Sequence, residues 1–262
     1  MAKFTTIITS ILLACLTIGS AYAQYPEPYQ LGFQEAVTPV AERMHDLHNL
    51  LLIIITGIAL FVLALLIYVV IRFNEKSNPE PSTVTHNTPL EIMWTLIPTL
   101  ILLVIAFPSF KLLYYMDRVE DPEMTLKVTG YQWYWGYEYP DHDGLSFLSY
   151  MVSDDEIDTQ KGQLRNLSTD NVVVLPIDTN IQIIVTAADV LHSFAMPSFG
   201  IKTDAVPGRL NETWVRITKP GTYYGQCSEL CGSKHAFMPI EIKAVTKEEF
   251  EEWLVKAKEE HA

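Results

Sequence analysis

The residues between positions 227 and 238 carry the chemistry that this sequence indicates most clearly. Cys227, Cys231, His235 and Met238 lie within twelve residues, and His192 is the nearest histidine upstream. Sulfur ligands favour copper(I), zinc or iron–sulfur clusters, whereas imidazole suits copper and zinc. A mononuclear blue-copper site needs only one Cys with two His and a weak axial Met, so a second Cys indicates more than one copper ion. Two cysteines can bridge two copper ions, with one histidine completing each, and such a pair is suited to electron transfer.

Two commoner structures compete with a copper site for these residues. A pair of cysteines in an exported protein most often forms a disulfide. Two Cys and two His also make tetrahedral zinc sites. A disulfide gives no role to His192 or His235, and a zinc site gives none to Met238. The complete set in this order therefore favours copper.

Composition and charge indicate a membrane protein with an acidic exported part. The 262 residues are 49% hydrophobic and carry a formal net charge of −13. From Asp117 onward there are 24 acidic and 13 basic residues, so that part holds −11 of the total. This balance argues against nucleic acid as a partner and for a cationic one. The sequence has no Cys-x-x-Cys-His motif for attachment of a c-type haem.

The first 23 residues predict a secretory signal. Lys3 supplies the positive charge, residues 7–18 form an apolar core, and Ala23 offers a small residue for cleavage before Gln24. Lipidation at Cys15 is the alternative. Either route delivers the mature N-terminus outside the cytoplasm.

Two uncharged stretches predict a transmembrane helical hairpin. Residues 49–71 and 92–110 contain no charged side chain, and each matches the ~20 residues needed to cross a bilayer. Arg72 and Lys76 lie between them, which favours a cytoplasmic connector. The predicted boundaries are a periplasmic segment over 24–48, a first span over 49–71, a connector over 72–90, a second span over 91–116 and a periplasmic domain over 117–262.

The part of the chain from 117 to 262 predicts an all-β Greek-key sandwich with a short C-terminal helix. Stretches rich in β-branched and aromatic residues alternate with turn signals, which is typical of sandwiches. A polar stretch over 144–171 predicts a surface insertion. Thr246 and Glu249 form a capping box before an apolar helical stripe that is expected to pack on the sandwich. The predicted strands lie within 126–139, 172–177, 181–187, 213–218 and 239–245.

An aromatic run over 130–139 admits two interpretations. A single strand would place Tyr131, Trp133, Trp135 and Tyr137 on one face. Core packing accounts for most of these rings. One exposed indole above a metal would instead shorten the route of an arriving electron.

These features together resemble subunit II of aa3-type cytochrome c oxidases over nearly the whole chain after the signal. The two spans, the sandwich and the segments GYQWYWGYEY (130–139), KTDAVPGR (202–209) and CSELCG (227–232) carry the resemblance. It implies a cupredoxin fold with a dinuclear copper centre, CuA. By resemblance, copper is bound by the side chains of His192, Cys227, Cys231, His235 and Met238 and by the backbone carbonyl of Glu229.

The resemblance assigns further roles to three residues. Trp133 is the expected point where electrons enter. The Glu229 carboxylate is expected to hold a magnesium ion shared with subunit I. Glu91 would stand at the mouth of a proton path into subunit I, although a carboxylate at a helix N-terminus is also a favourable dipole partner.

The implied activity is that of a respiratory, proton-pumping cytochrome c oxidase in a bacterial inner membrane. Electrons from cytochrome c would pass through CuA to haem in subunit I, where oxygen is reduced to water, and subunit III is a further expected partner. Two alternatives remain: a quinol-oxidase subunit II, a class that lacks the copper ligands, and a membrane-anchored copper carrier or assembly protein. The acidic residues expected to steer a basic cytochrome are Glu138, Asp141, Asp189 and Asp204.

Overall fold

The computed structural model describes residues 23–117 and 121–261. The predicted signal over 1–23 and its alternative at Cys15 therefore lie outside the described residues, apart from Ala23. Two long apolar helices come first, and a two-sheet β sandwich with a short C-terminal helix follows. The predicted fold class is confirmed.

The two long helices are α1 (Pro39–Arg72) and α2 (Thr88–Asp117). Both are long and apolar enough to cross a membrane. The first begins well before the uncharged stretch, because Thr38 caps it by accepting a hydrogen bond from Ala41 N and Pro39 occupies the first turn. Val40 and Ala41 are buried, so the start of α1 belongs to the packed sandwich.

The segment before α1 is joined to the sandwich by hydrogen bonds to backbone groups. Thr38 Oγ1 donates to Phe199 O at 2.7 Å, and Thr218 N donates to Val37 O at 2.9 Å. Gly200 has φ +70°, and a Cβ there would lie 2.8 Å from Ala41 Cα. The close approach of α1 to the sandwich therefore requires glycine at this position.

Two mixed sheets pack face to face around the core. One has the order β5-β11-β10-β7-β8, with β1 paired to β10, and the other has the order β4-β3-β2-β6-β9. The core side chains of both sheets are buried in one cluster. The strands are β1 Ala23–Gln24, β2 Met124–Tyr131, β3 Tyr134–Tyr139, β4 Leu145–Ser149, β5 Val173–Pro176, β6 Ile181–Ala187, β7 His192–Met196, β8 Ile201–Ala205, β9 Asn211–Val215, β10 Gly221–Cys227 and β11 Pro239–Val245.

The aromatic run is a hairpin, so the prediction of a single strand was wrong. Tyr131 pairs with Tyr134 across a turn that contains Trp133. The chain reverses there, and alternation along one strand no longer applies. Trp135 and Tyr137 are buried in the core, whereas Tyr131 and Tyr134 stack on each other with ring centroids 4.8 Å apart.

Other boundaries differ locally from the sequence-based expectation. The predicted insertion begins with β4, because Leu145 and Phe147 alternate inward and are buried. The strand expected over 213–218 begins at Asn211 and ends at Val215. The C-terminal helix α3 (Lys247–Glu260) has the predicted Thr246–Glu249 capping box. Its apolar stripe packs on the sandwich, as expected.

Candidate metal centre

Two neighbouring strands and one loop build the predicted metal site. β7 begins with His192 and β10 ends with Cys227, and these strands are antiparallel partners. The loop after β10 folds back on β7, since Ser228 N donates to Ser193 O at 2.9 Å. His192, Cys227, Cys231 and Met238 are all buried.

The other four predicted ligand groups converge on the two cysteine sulfurs. Cys227 Sγ lies 3.9 Å from His192 Nδ1 and 3.4 Å from the Glu229 carbonyl oxygen. Cys231 Sγ lies 3.6 Å from His235 Nδ1 and 3.5 Å from Met238 Sδ. The ligand atoms of His192, Cys227 and Cys231 fall within 4.8 Å of one another. The structure thus brings together residues spread over 47 positions of the sequence.

The geometry separates the copper interpretation from its two competitors. The sulfurs of Cys227 and Cys231 are 3.9 Å apart and both thiols are free, whereas a disulfide requires about 2.05 Å. Met238 Sδ belongs to the cluster, and a thioether is a ligand for copper and not for a structural zinc site. Two thiols, two imidazoles, one thioether and one carbonyl therefore fit a copper centre.

The two thiols differ electrostatically although they are neighbours. Burial acts to raise the pKa of Cys227, but the interaction with the His192 imidazole and backbone hydrogen bonds outweigh burial and lower that pKa. Burial and the charge of Cys227 raise the pKa of Cys231. Cys227 is thus the more acidic thiol of the pair, and a bound cation would favour the thiolate form of both.

His192 is oriented by its surroundings on two sides. Asp189 Oδ1 lies 2.9 Å from His192 Nε2, which directs Nδ1 towards Cys227. A Cβ at Gly130 would lie 2.8 Å from His192 Cδ2, so only glycine leaves room for the ring. Burial acts to raise the pKa of Asp189, but hydrogen bonds with His192 and two backbone N–H groups outweigh burial and lower it.

Trp133 makes a direct hydrogen bond to the metal-site loop. Its Nε1 donates to the Cys231 carbonyl oxygen at 3.2 Å, and Gln132 Nε2 donates to the same oxygen at 2.9 Å. Gly232 has φ +128°, and a Cβ there would lie 2.8 Å from the Trp133 ring. The indole is half-buried. It therefore lies between the outer surface and a predicted copper ligand.

The supporting roles of Gln132 and Asp189 were not predicted from the sequence. Gln132 N donates to Asp189 Oδ2 at 2.7 Å, so one carboxylate joins the aromatic hairpin to His192. Asp189 had been expected only as a docking residue. The sequence feature that could have indicated its second role is its position three residues before the predicted ligand His192.

Glu229 and Glu91 lie in different surroundings. The Glu229 side chain is exposed, while its carbonyl faces Cys227. Glu91 lies in the first turn of α2, where its Oε1 accepts from Asn87 N at 3.3 Å and Asn87 Oδ1 accepts from Leu90 N at 3.2 Å. The two hydrogen bonds form a reciprocal cap at the N-terminal end of α2. This end is remote from the sandwich, because a helix of this length spans about 45 Å.

The four acidic docking candidates lie in two places. Asp189 contacts His192, and Asp204 accepts from Ser193 Oγ at 2.8 Å, so both are beside the ligand-bearing strand. Glu138 pairs with Lys127 at 2.7 Å. That pair is four residues from the hairpin turn, or about 13 Å at the rise of a strand. Asp141 accepts from Thr125 N farther along the same hairpin.

Comparison with known proteins shows a similarity over most of the chain. The family model for the cytochrome c oxidase subunit II periplasmic domain matches residues 124–245, and the one for the transmembrane domain matches residues 26–112. A probable cytochrome c oxidase subunit 2 of Rickettsia felis is 49% identical over 97% of this chain and 80% of its own length. Cytochrome c oxidase subunit 2 of Zea mays is 49% identical over 93% of this chain and 95% of its own.

A solved structure resembles the sandwich. The crystal structure of the periplasmic domain of subunit II of cytochrome oxidase from Bradyrhizobium japonicum aligns with a TM-score of 0.51 and 50% identity. The alignment covers 55% of this chain and all of that domain.

Proposed function

This chain belongs to the cytochrome c oxidase subunit II family, and on that premise we propose that it accepts electrons from cytochrome c at a dinuclear CuA centre. The electrons pass to haem in subunit I, where oxygen is reduced to water with proton pumping. Oxygen chemistry is a property of the whole haem–copper oxidase, and this subunit provides the path by which electrons enter it.

The convergence of four further donor groups on two free, buried cysteines carries the proposal. Cys227 and Cys231 present sulfurs 3.9 Å apart, and each has one imidazole close by. Copper held by His192, Cys227, Cys231, His235 and Met238 would supply one-electron redox chemistry. The protein holds the ligands in place: Asp189 fixes His192, and burial keeps water from Cys227 and Met238.

Trp133 is proposed as the residue through which the electron arrives. Its hydrogen bond to Cys231 O supports the role, because a bonded route avoids a gap between the indole and a ligand residue. The adjacent Tyr131 and Tyr134 rings stack outside the core. A partner docked on this hairpin would therefore contact rings that lead directly to the ligand loop.

The remaining assignments are proposed from the family and from the placement of the helices. The two spans anchor the chain in the inner membrane, with 24–48 and 117–262 in the periplasm and 72–90 in the cytoplasm. Subunits I and III are the membrane partners. Glu229 offers an exposed carboxylate for a magnesium ion shared with subunit I, and Glu91 stands at the opening of a proton path.

Metal content and spectroscopy of the full-length chain test the proposal. Two copper ions per chain and an electron paramagnetic resonance signal delocalised over both are expected. One copper ion, or one zinc ion without visible absorption, would contradict a CuA centre. A chain that binds copper but purifies without a haem-containing subunit would indicate the copper carrier instead, and a metal-free chain bound to such a subunit would indicate the quinol-oxidase class.

A further inference from the structure

A groove opens between α1 and α2 at the end of the helices nearest the sandwich. Its volume is about 450 Å³, within the range of small-molecule sites. Three of its lining residues are charged and four are apolar. Its lining residues are Arg43, Asp46, Leu47, Leu50, Pro108, Lys111 and Leu112.

The groove lies at the expected level of the phospholipid headgroups. Lys111 directly follows the uncharged run 92–110, and Arg43 precedes the uncharged run 49–71. Nearby Tyr114 is 70% exposed, and aromatic rings at this position are typical of the membrane interface. The charged mouth of the groove therefore faces headgroups, while its apolar wall continues along the hydrocarbon.

The charged side chains of the groove have no ionic partner among the described residues. Arg43 lies over the Tyr115 ring, with the guanidinium carbon 3.5 Å from the ring centroid. Arg43 and Asp46 are three residues apart on α1, a spacing that permits an ion pair, yet none of the ion pairs in the described chain includes Arg43, Asp46 or Lys111. A guanidinium stacked on a ring keeps its N–H groups available for phosphate.

From this arrangement we propose that the groove binds an ethanolamine phospholipid. The lipid phosphate lies between Arg43 and Lys111, and the headgroup ammonium lies against Asp46. An acyl chain follows Leu47, Leu50 and Pro108. Two cations and one carboxylate complement a phosphate joined to an amine. The primary ammonium of ethanolamine can both pair with Asp46 and donate hydrogen bonds to it, whereas a glycerol headgroup carries no positive charge and the quaternary ammonium of choline has no N–H group. This binding does not depend on the metal centre.

Lipid retention tests the proposal on the full-length chain with the subunits that purify with it. The complex is placed in nanodiscs with equal amounts of ethanolamine, glycerol and choline phospholipids, extracted with detergent, and measured by native mass spectrometry. The ethanolamine lipid is expected to be retained above its share of the mixture. Retention in proportion to the mixture, or no retained lipid because another subunit fills the groove, would overturn the proposal.

Two sets of variants locate the site. Each cation near a phosphate is worth about 1 kcal/mol, or about fivefold in affinity, so Arg43→Gln with Lys111→Gln should reduce retention about 25-fold. The matched control, Arg72→Gln with Lys76→Gln, removes two cations at the other end of the helices and should retain the lipid. An equal loss of lipid retention in both double variants would mean that the lipid responds to surface charge in general, and this would refute a site in the groove.

The Asp46→Asn variant tests the headgroup separately. It should still retain phospholipid but lose the preference for ethanolamine over glycerol headgroups. An unchanged preference in this variant would refute the role of Asp46 and the choice of lipid.

Discussion

The indole nitrogen of Trp133 lies 3.2 Å from the carbonyl oxygen of Cys231, so an exposed turn touches the backbone of a buried cysteine. The turn and the ligand loop are far apart in sequence, and Gly232 permits the contact because it has no side chain to occupy the place of the ring.

Replacing Trp133 by Ala should slow reduction by cytochrome c while leaving the copper spectrum nearly intact. We expect at least a tenfold slower rate, about 1.4 kcal/mol in activation free energy, because the bonded route to Cys231 is lost. Stopped-flow reduction measures the rate. Trp253→Phe, a half-buried tryptophan on α3 that packs on Tyr139, is the control. An unchanged rate in Trp133→Ala would leave the indole with a packing role only.

Replacing Cys227 by Ser should abolish the paired copper site. A hydroxyl oxygen is a harder and poorer ligand for copper than a thiolate, and the bridge between the two metal positions would be lost. Copper content per chain and the delocalised resonance signal report this change. Retention of two copper ions would mean that Cys227 does not bridge.

Met238→Leu should keep copper but shift the reduction potential. A weak axial thioether mainly tunes the metal, and Leu fills the buried volume with little strain. Potentiometric titration of the visible spectrum measures the shift. Loss of copper from this variant would show that Met238 Sδ, 3.5 Å from Cys231 Sγ, is needed to hold the metal.

Asp189→Asn should weaken copper binding through His192. Outer-shell partners of metal-bound histidines typically contribute about 10- to 100-fold in affinity, and the carboxylate bonded to Nε2 would be lost. Competition with a chelator gives the affinity. Asp204→Asn, which changes the Ser193 contact on the same sheet, is the matched control. Equal affinities for both variants would remove the orienting role of Asp189.

The acidic surface should affect association with a basic cytochrome more than electron transfer within the complex. A triple variant, Glu138→Gln, Asp141→Asn and Asp204→Asn, should slow association most at low salt. The reason is that the Debye length falls from about 30 Å at 0.01 M to about 10 Å at 0.1 M. Stopped-flow kinetics across a salt series measures this effect.

The control for the acidic surface lies on α3. Glu248→Gln, Glu251→Gln and Glu252→Gln remove the same charge, and Glu249 is left in place because it caps the helix. Equal salt slopes for the two triple variants would mean that net charge, and not a local patch, steers the partner.

Much of the metal site could be predicted because ligand chemistry depends on residue type and spacing. Cys227, Cys231 and Met238 are close in sequence, and few metals are bound by two thiolates together with a thioether. The face of Trp133 was predicted wrongly, because a two-residue turn inside an aromatic run has no glycine or proline to signal it. The role of Asp189 depends on a contact between the residues just before β7 and the turn that joins β2 to β3. Sequence spacing does not specify this long-range contact.

The burial of the first turn of α1 bears on how soluble fragments of this protein should be designed. A fragment that begins after α2 lacks Val37, Thr38 and Ala41, so it exposes the surface that those residues cover. It also leaves Phe199 O and Thr218 N without their protein partners. Truncating the chain between α2 and the sandwich therefore removes packing and hydrogen bonds from the sandwich. A fragment in which residues 23–41 are rejoined to the sandwich through a flexible linker should be the more stable protein.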